Sequence, residues 1–372
     1  MFPGHLARKH YLYVILTPVC FMKHQLKGRG AQSNTNNRFL SRHLADDFPE
    51  GIDEELIIER PTTQVFEENA KKVVNKVTSP DLGMMYSMNA YQGCEHGCSY
   101  CYARNSHQYY GFSAGLDFET KIMVKRNAPQ LLEKFLLGAG WNSTPIMLSG
   151  NTDCYQPLES KYLLTRKCLE IFLKYQHPVS LITKNKLILR DLDLLTALAE
   201  KRLVHVFISI NTLQKRLRGL MEPRTATPEA RLETIARLTE ASVPTGVMTA
   251  PIIPGLNDHE LPEIIKRASE HGALGAGYTA LRLNDQVEII FREWLKSYFP
   301  DRYQKVINLT KDLHGGKVGD SQWSRRIVGE GKTADMISGL FRMAKKKYLA
   351  GRSFPTYDLT LFQKTGQLGL FD

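Results

Sequence analysis

The stretch Cys94-Glu95-His96-Gly97-Cys98-Ser99-Tyr100-Cys101 gathers three of the chain's six cysteines into eight residues, at x3 and x2 spacing. Thiolates spaced this way can wrap a compact loop and point three sulfurs at one iron–sulfur cubane, leaving its fourth iron without a cysteine ligand. An open iron can take the amino and carboxylate groups of a small molecule, whereas a fully ligated cluster only passes electrons. The competing reading is zinc, which usually draws its ligands from paired C-x2-C units; His96 or His107 would then have to complete the set.

The surroundings of this loop decide how it is presented. From Tyr86 onward, short β-branched runs alternate with stretches of helical period, the pattern of repeated βα units around a parallel sheet. Strands are predicted at Tyr86–Tyr91, Pro145–Ser149, Val179–Thr183, Val204–Ile210, Thr245–Ala250 and Ala276–Leu283. Helices follow at Ala128–Leu137, Ser160–Tyr175, Arg190–Lys201, Pro228–Ala241, Glu260–His271 and Asp285–Ser297, with Thr227 before Pro228 as a marked helix start. Six such units form an α/β fold, either a partial (β/α)6 barrel or an open doubly wound sheet. Both place the reactive site at the C-terminal strand ends, which is where the cysteine loop falls.

Polar residues stand at the later strand ends as well. The second strand runs into Ser149-Gly150-Asn151-Thr152-Asp153, where a small residue permits close approach and its neighbours can take an amine. The third ends in Thr183-Lys184-Asn185, which puts a cation where a carboxylate could be met. In the fourth, Ser209 interrupts an apolar alternation, and a satisfied core hydroxyl is an equal reading of it. The fifth leads into Pro251-Ile252-Ile253-Pro254-Gly255-Leu256-Asn257-Asp258, an ordinary βα turn.

Three units are expected: a poorly ordered arm over 1–60, a barrel over 61–299, and a helical extension with a tail over 300–372. In the last, Ile337, Leu340, Phe341 and Ala344 give a helix over Ala334–Lys347 one apolar face. The chain's 372 residues, 42% apolar and 23% charged, suffice for a large core. Lys and Arg exceed Asp and Glu by 49 to 38, a formal +11 that suits polyanions such as nucleic acid or else a merely soluble basic surface. The cysteine usage suits a reduced, cytoplasmic setting. The apolar run Tyr11–Met22 after Arg8 and Lys9 resembles a secretory signal, but it is too short to span a bilayer and Met22 is an alternative start.

The x3-x2 spacing, Tyr100 before the last cysteine and the place after the first of six strands resemble the radical SAM superfamily over roughly Met84 to Asn284. The resemblance implies a [4Fe–4S] cluster on Cys94, Cys98 and Cys101. It also implies reductive cleavage of S-adenosyl-L-methionine to methionine and a 5′-deoxyadenosyl radical, and an external electron donor such as flavodoxin or ferredoxin. Within the superfamily, Tyr100-Cys101-Tyr102, Asn151-Thr152-Asp153, Thr183-Lys184 and Ser209-Ile210-Asn211 are similar to spore photoproduct lyase and the DNA repair photolyase-like proteins. Lys27-Gly28-Arg29-Gly30, Gly115-Leu116-Asp117-Phe118-Glu119 and Glu222-Pro223-Arg224 resemble a subgroup of that branch. By that likeness Tyr100, Gly150, Asn151, Thr152, Asp153, Lys184 and Ser209 bind the cofactor, with Tyr100 and Tyr102 flanking the cluster and Tyr102 serving as a hydrogen relay.

One position departs from the pattern. The lyases carry a hydrogen-donating cysteine where this chain has Gly150; Cys154, four residues on, is the candidate substitute, set against an incidental loop thiol. Cys168 falls on an apolar helix face and reads as core. The expected function is a radical SAM enzyme for nucleic-acid repair or modification. The alternatives are a small-molecule or protein substrate, since the barrel does not specify one, and a non-catalytic metal-cluster module that binds nucleic acid. Finally, Gln367-Leu368-Gly369-Leu370-Phe371 resembles the peptide by which bacterial repair proteins dock on the sliding clamp, against a tail folded on its own domain.

Overall fold

Alternation along the β-branched runs builds a sheet with one helix-covered face. In Val204–Ser209, Val204, Val206 and Ile208 pack with Leu232, Ile235 and Leu238 of the helix Pro228–Glu240, while His205 and Phe207 take the opposite face. The computed structural model describes residues 26–40 and 62–364. Its strands are β1 (Gln64–Glu67), β2 (Val74–Lys76), β3 (Tyr86–Met88), β4 (Tyr91–Gln92), β5 (Lys121–Val124), β6 (Ile146–Leu148), β7 (Val179–Thr183), β8 (Val204–Ser209), β9 (Thr245–Ile252) and β10 (Ala276–Ala280).

Seven strands form one sheet in the order β10-β9-β8-β7-β6-β3-β2. Neighbours from β3 to β10 are all parallel, and β2 runs antiparallel at the edge. Chain order and spatial order agree along the parallel strands, which makes this a partial (β/α)6 barrel. Thr227 Oγ1 caps its helix by accepting from Ala230 N at 3.2 Å.

Two predicted elements divide. The first strand leaves the sheet after Met88 because the Asn89 side chain accepts from Asn151 N and Thr152 N, at 2.8 and 3.2 Å. The chain then pairs Tyr91–Gln92 with β5, in a second sheet of order β1-β5-β4. The helix over Ser160–Tyr175 is two helices, Glu159–Tyr162 and Leu164–Lys174, joined by Leu163 at φ 55°. The break follows from Glu159, whose buried carboxylate accepts from Leu164 N and Thr165 N, each at 3.0 Å, and so starts the second helix itself.

Residues 26–40, expected within a poorly ordered arm, are instead packed: Ala31 is buried, and Asn37 Nδ2 donates to the carbonyls of Gln108 and Phe112. After Phe299 the chain forms an unpredicted helix, Pro300–Leu313, which buries Val306, Ile307, Thr310 and Leu313. The helix Lys332–Tyr348 buries Ile337 and Ala344 against Leu261 and Ile265, beside β9 and β10. Beyond it, Phe354 and Tyr357 pack on Phe207 and His205, the inner face of the sheet. No helix among the described residues is long and apolar enough to cross a membrane. The apolar run 11–22 and Gln367–Phe371 lie outside the described residues.

Candidate metal centre

The cysteine loop has little regular structure of its own and is shaped by bonds to segments distant in sequence. Gly97 sits at φ 66°, a conformation that favours glycine, and a Cβ there would stand 2.7 Å from Glu119 Oε2. Cys94 N donates to Phe118 O at 2.9 Å, Ser99 N to Met221 O at 3.1 Å, and Arg224 N to His96 O at 3.3 Å. Glu95 N donates to Gln156 Oε1 at 3.1 Å, and Arg104 Nε to Cys98 O at 2.9 Å. Every side of the loop is therefore tied to something else, which supplies the rigidity a ligand loop requires.

All three thiols are free; Cys94 and Cys98 are buried and Cys101 is partly so. Burial pushes the Cys98 thiol well up; Glu222 adds to this, Lys184 opposes it, and the other two cysteines add again. Burial likewise raises Cys101, with Cys94 reinforcing it. The three thiols thus lie within one another's electrostatic reach, in a place costly for free thiolates. A bound metal removes that cost, because a coordinating thiol is deprotonated outright, so this donor set fits an iron–sulfur group. Among the described residues no three His, Cys, Asp or Glu side chains converge to hold a single metal ion.

Beside the loop lies a buried ionic network. Glu222 accepts from Tyr100 Oη, pairs with Arg231 Nη2 at 2.5 Å and with Lys184 Nζ at 3.3 Å, and is fully buried. Burial alone would raise its carboxyl; Arg231 and then Lys184 outweigh that and hold it at about 2. Asn211 Nδ2 donates to Tyr100 Oη at 3.1 Å, and the Lys184 ammonium lies 5.8 Å from the Tyr100 ring centre. Ser209 is buried beside it, its carbonyl accepting from Arg231 Nη1 at 2.8 Å. The fold thus brings Tyr100, Lys184 and Ser209 together around a carboxylate.

The residues after β6 are placed differently. Asp153 accepts from Thr183 Oγ1 at 2.7 Å and Lys184 N at 2.8 Å and faces His96 Nδ1 at 3.3 Å, which binds the end of β7 to the loop. Thr152 Oγ1 donates to Tyr91 O, and Asn151 Nδ2 to Gln92 Oε1. These side chains are spent on scaffolding. Tyr102 is half exposed; its hydroxyl donates to Gly150 O at 2.6 Å, and the Arg282 guanidinium lies 6.0 Å from its ring centre. Cys154 is buried in the main core, where burial raises its thiol well up, and Cys168 is buried there too. His96 is engaged with Asp153, and His107 packs between Phe112 and Phe118.

Sequence reasoning missed Arg104, Glu119 and Arg231, which are buried and paired across the fold, and Arg282, which lies over Tyr102. A charged side chain defaults to the surface, and only pairing across the fold reveals a buried one. Glu119 and Glu222 did carry a signal, standing in the short motifs Gly115–Glu119 and Glu222–Arg224. Those motifs and Lys27–Gly30 all converge on the cysteine loop.

Comparison with known proteins agrees with this geometry. A sequence profile described as the radical SAM superfamily matches residues 88–268. An uncharacterized protein of Mycobacterium tuberculosis is 33% identical over 242 residues, covering 63% of this chain and 71% of its own. One of Methanocaldococcus jannaschii is 30% identical over 248 residues, covering 66% and 88%. Among solved structures, spore photoproduct lyase complexed with dinucleoside spore photoproduct has a similar fold, with TM-score 0.57 and 16% identity over 77% of this chain and 80% of that one. A tyrosine mutant of that lyase gives TM-score 0.58 at 15% identity over the same shares.

Proposed function

The chain belongs to the radical SAM superfamily and is an enzyme, and from that premise we propose that Cys94, Cys98 and Cys101 hold a [4Fe–4S] cluster beside a site for S-adenosylmethionine. Bound there, the two cofactors supply a one-electron reductive cleavage of the sulfonium that yields a 5′-deoxyadenosyl radical. The observation that carries the reading is three free thiols on one loop, braced on all sides, at the C-terminal end of the first parallel strand.

The protein's own residues bind and orient. Lys184 presents a cation at the end of β7, and Glu222 holds it in place until a carboxylate takes it over. Tyr100, locked by Glu222 and Asn211, walls the loop on its inner side. Tyr102, fixed through Gly150 O, keeps its ring at the mouth of the barrel, where it can pass a hydrogen to or from a substrate. The lyase reaction itself is not proposed, because Gly150 carries no thiol and Cys154 sits in the core.

The substrate we propose is nucleic acid. Supporting it are the formal charge of +11 and Arg282, which lies over Tyr102 and makes no ion pair closer than 4 Å among the described residues. The cysteine usage supports a reduced, cytoplasmic setting.

Anaerobic reconstitution with iron and sulfide, then reduction in the presence of S-adenosylmethionine, tests the chemistry. 5′-Deoxyadenosine should form, and Cys98→Ala should abolish it. A colourless protein with one tightly bound zinc would reject the cluster and its chemistry. For the substrate, binding to a short single-stranded DNA should weaken steeply with salt, and Arg282→Gln should make that dependence shallower; binding indifferent to salt would argue for a small molecule or a protein.

A further inference from the structure

Glu119 is fully buried and accepts from three directions. Gly30 N donates to Oε2 at 3.2 Å, Ala31 N to Oε1 at 2.8 Å, and Arg104 Nη2 to Oε1 at 2.5 Å. Arg104 is also fully buried and gives its remaining donors to backbone: Nε to Cys98 O at 2.9 Å, and Nη1 to Ala114 O and Gly115 O at 3.1 and 2.9 Å. The Glu119 carboxylate is the group that a side chain on Gly97 would strike. One acid therefore joins the arm, through Arg104, to the carbonyl of Cys98 and packs against Gly97.

The arm makes contacts of its own along the same surface. Gly30 lies so close to the loop that a Cβ would stand 1.7 Å from Gly97 O. Arg29 Nη1 donates to Glu119 O at 3.0 Å, and Leu116 N to Ser33 O at 3.2 Å. Asn34 and Asp117 exchange two hydrogen bonds, at 3.2 and 2.9 Å. These contacts run from the cysteine loop along the helix Leu116–Thr120, so the arm is seated along a line rather than at a point.

We propose that residues 26–40 are a clamp on the cysteine loop and that Glu119 is the positioning residue joining the two. Together they hold Cys94, Cys98 and Cys101 in their ligating arrangement and keep solvent away from it. The proposal rests on the cluster reading above. Its physical basis is that an irregular loop opens locally unless outside contacts hold it, and that losing a group which supports the ligands costs about 10- to 100-fold in metal affinity.

Gly30→Ala in the full-length protein tests it, because the added methyl meets the Gly97 carbonyl, a backbone atom that cannot swing away. Hydrogen exchange of the apoprotein should rise over 26–40 and over 93–101. After reconstitution, the visible absorbance of the cluster should decay about tenfold faster under a chelator, while the denaturant midpoint of the whole protein stays close to the parent's. Glu119→Gln, of equal size, should shift exchange and decay in the same direction; should it fail to fold, Gly30→Ala decides alone. An arm that stays protected in Gly30→Ala overturns the clamp, as does an arm set free with no change in cluster decay. A parent protein that forms no cluster at all overturns the cluster reading and the clamp with it, and the exchange data on apoprotein tell that outcome from the other two.

Discussion

Replacing Gly150 with cysteine would place a thiol where the sequence resemblance to the lyases leads one to expect it, and the structure indicates that the site resists it. A Cβ on Gly150 would stand 2.6 Å from Ser87 Cβ and 2.9 Å from Ser87 Oγ. Carbon atoms in contact normally lie about 3.5–4.0 Å apart, so the two chains would have to part by about 1 Å. Ser87 cannot yield by rotation, since the nearer atom is its Cβ and its backbone is locked in register between Met147 on β6 and Asn75 on β2. Overpacking of this kind costs about 1–3 kcal/mol. Ser87→Gly alone should cost about 0.5–1 kcal/mol, the usual penalty of glycine in a strand. The double variant should then be more stable than the sum of the single losses by about 1–2 kcal/mol, because the clash is gone. Urea midpoints of the four proteins measure this cycle directly. A Gly150→Cys protein as stable as the parent, or a double variant no better than additive, would refute the reasoning.

Other substitutions probe the charges and the histidines. Glu222→Ala should destabilise by about 3–5 kcal/mol, because it leaves Arg231 buried without its acid; Glu222→Gln should cost clearly less, and equal denaturant midpoints for the two would contradict the ionic account. Lys184→Met should weaken S-adenosylmethionine binding to the reconstituted protein by about ten- to a hundredfold, the value of a charged hydrogen bond, measured by equilibrium dialysis; unchanged affinity would remove Lys184 from the site. Burial lowers both His107 and His177 to about 4, from an unfolded value of about 6.5. A lowered histidine leaves the folded state with fewer protons than the unfolded one, so stability is full above pH 6.5 and falls toward pH 4, by about 3 kcal/mol for each ring. In His177, Nε2 accepts from Trp141 Nε1 at 3.1 Å, and a proton there would break that bond. His177→Gln should flatten part of the acid slope in denaturant midpoints, and a slope unchanged from the parent would be the contrary result.

The parallel strands were legible because their signal is local: a β-branched run such as Val179–Thr183 reads the same in sequence and in structure. What was not legible depends on distant partners. Nothing near Glu159 announces that its carboxylate will start the helix at Leu164, so one long helical period hides two helices. Tyr86–Tyr91 looks continuous because Asn89 gives no local sign of bonding to Asn151 and Thr152. The helix Pro300–Leu313 was there to be read, with a proline in its first turn and an apolar stripe at Val306, Ile307, Thr310 and Leu313. At the site, the cysteines, Lys184 and Tyr100 were named from type and position, and the fold brings Lys184 and Tyr100 together at Glu222. Asp153, Thr152 and Asn151 looked the same on paper, yet their hydrogen bonds are committed to neighbouring backbone and side chains. Residue type at a strand end marks a candidate; the partners of its polar atoms are set by segments distant in sequence.

Glu95 accepts from Thr63 Oγ1 at 2.8 Å and faces Arg224 at 3.3 Å. Glu119 is filled by Arg104, Gly30 and Ala31; Asp153 by Thr183, Lys184 N and His96; Glu222 by Tyr100, Arg231 and Lys184. His96, the nearest imidazole in the sequence, is held by Asp153. Among the described residues these four acids and His96 are thus already engaged, and the pairs at Glu119 and Glu222 are fully buried. Recruiting one of those acids would strand a buried arginine, at about 3–5 kcal/mol. Three thiols are the donors this loop gives cheaply. Under the proposed reading, a cluster held by these thiols takes its remaining contact from a small molecule, with Lys184 placed for that molecule's carboxylate.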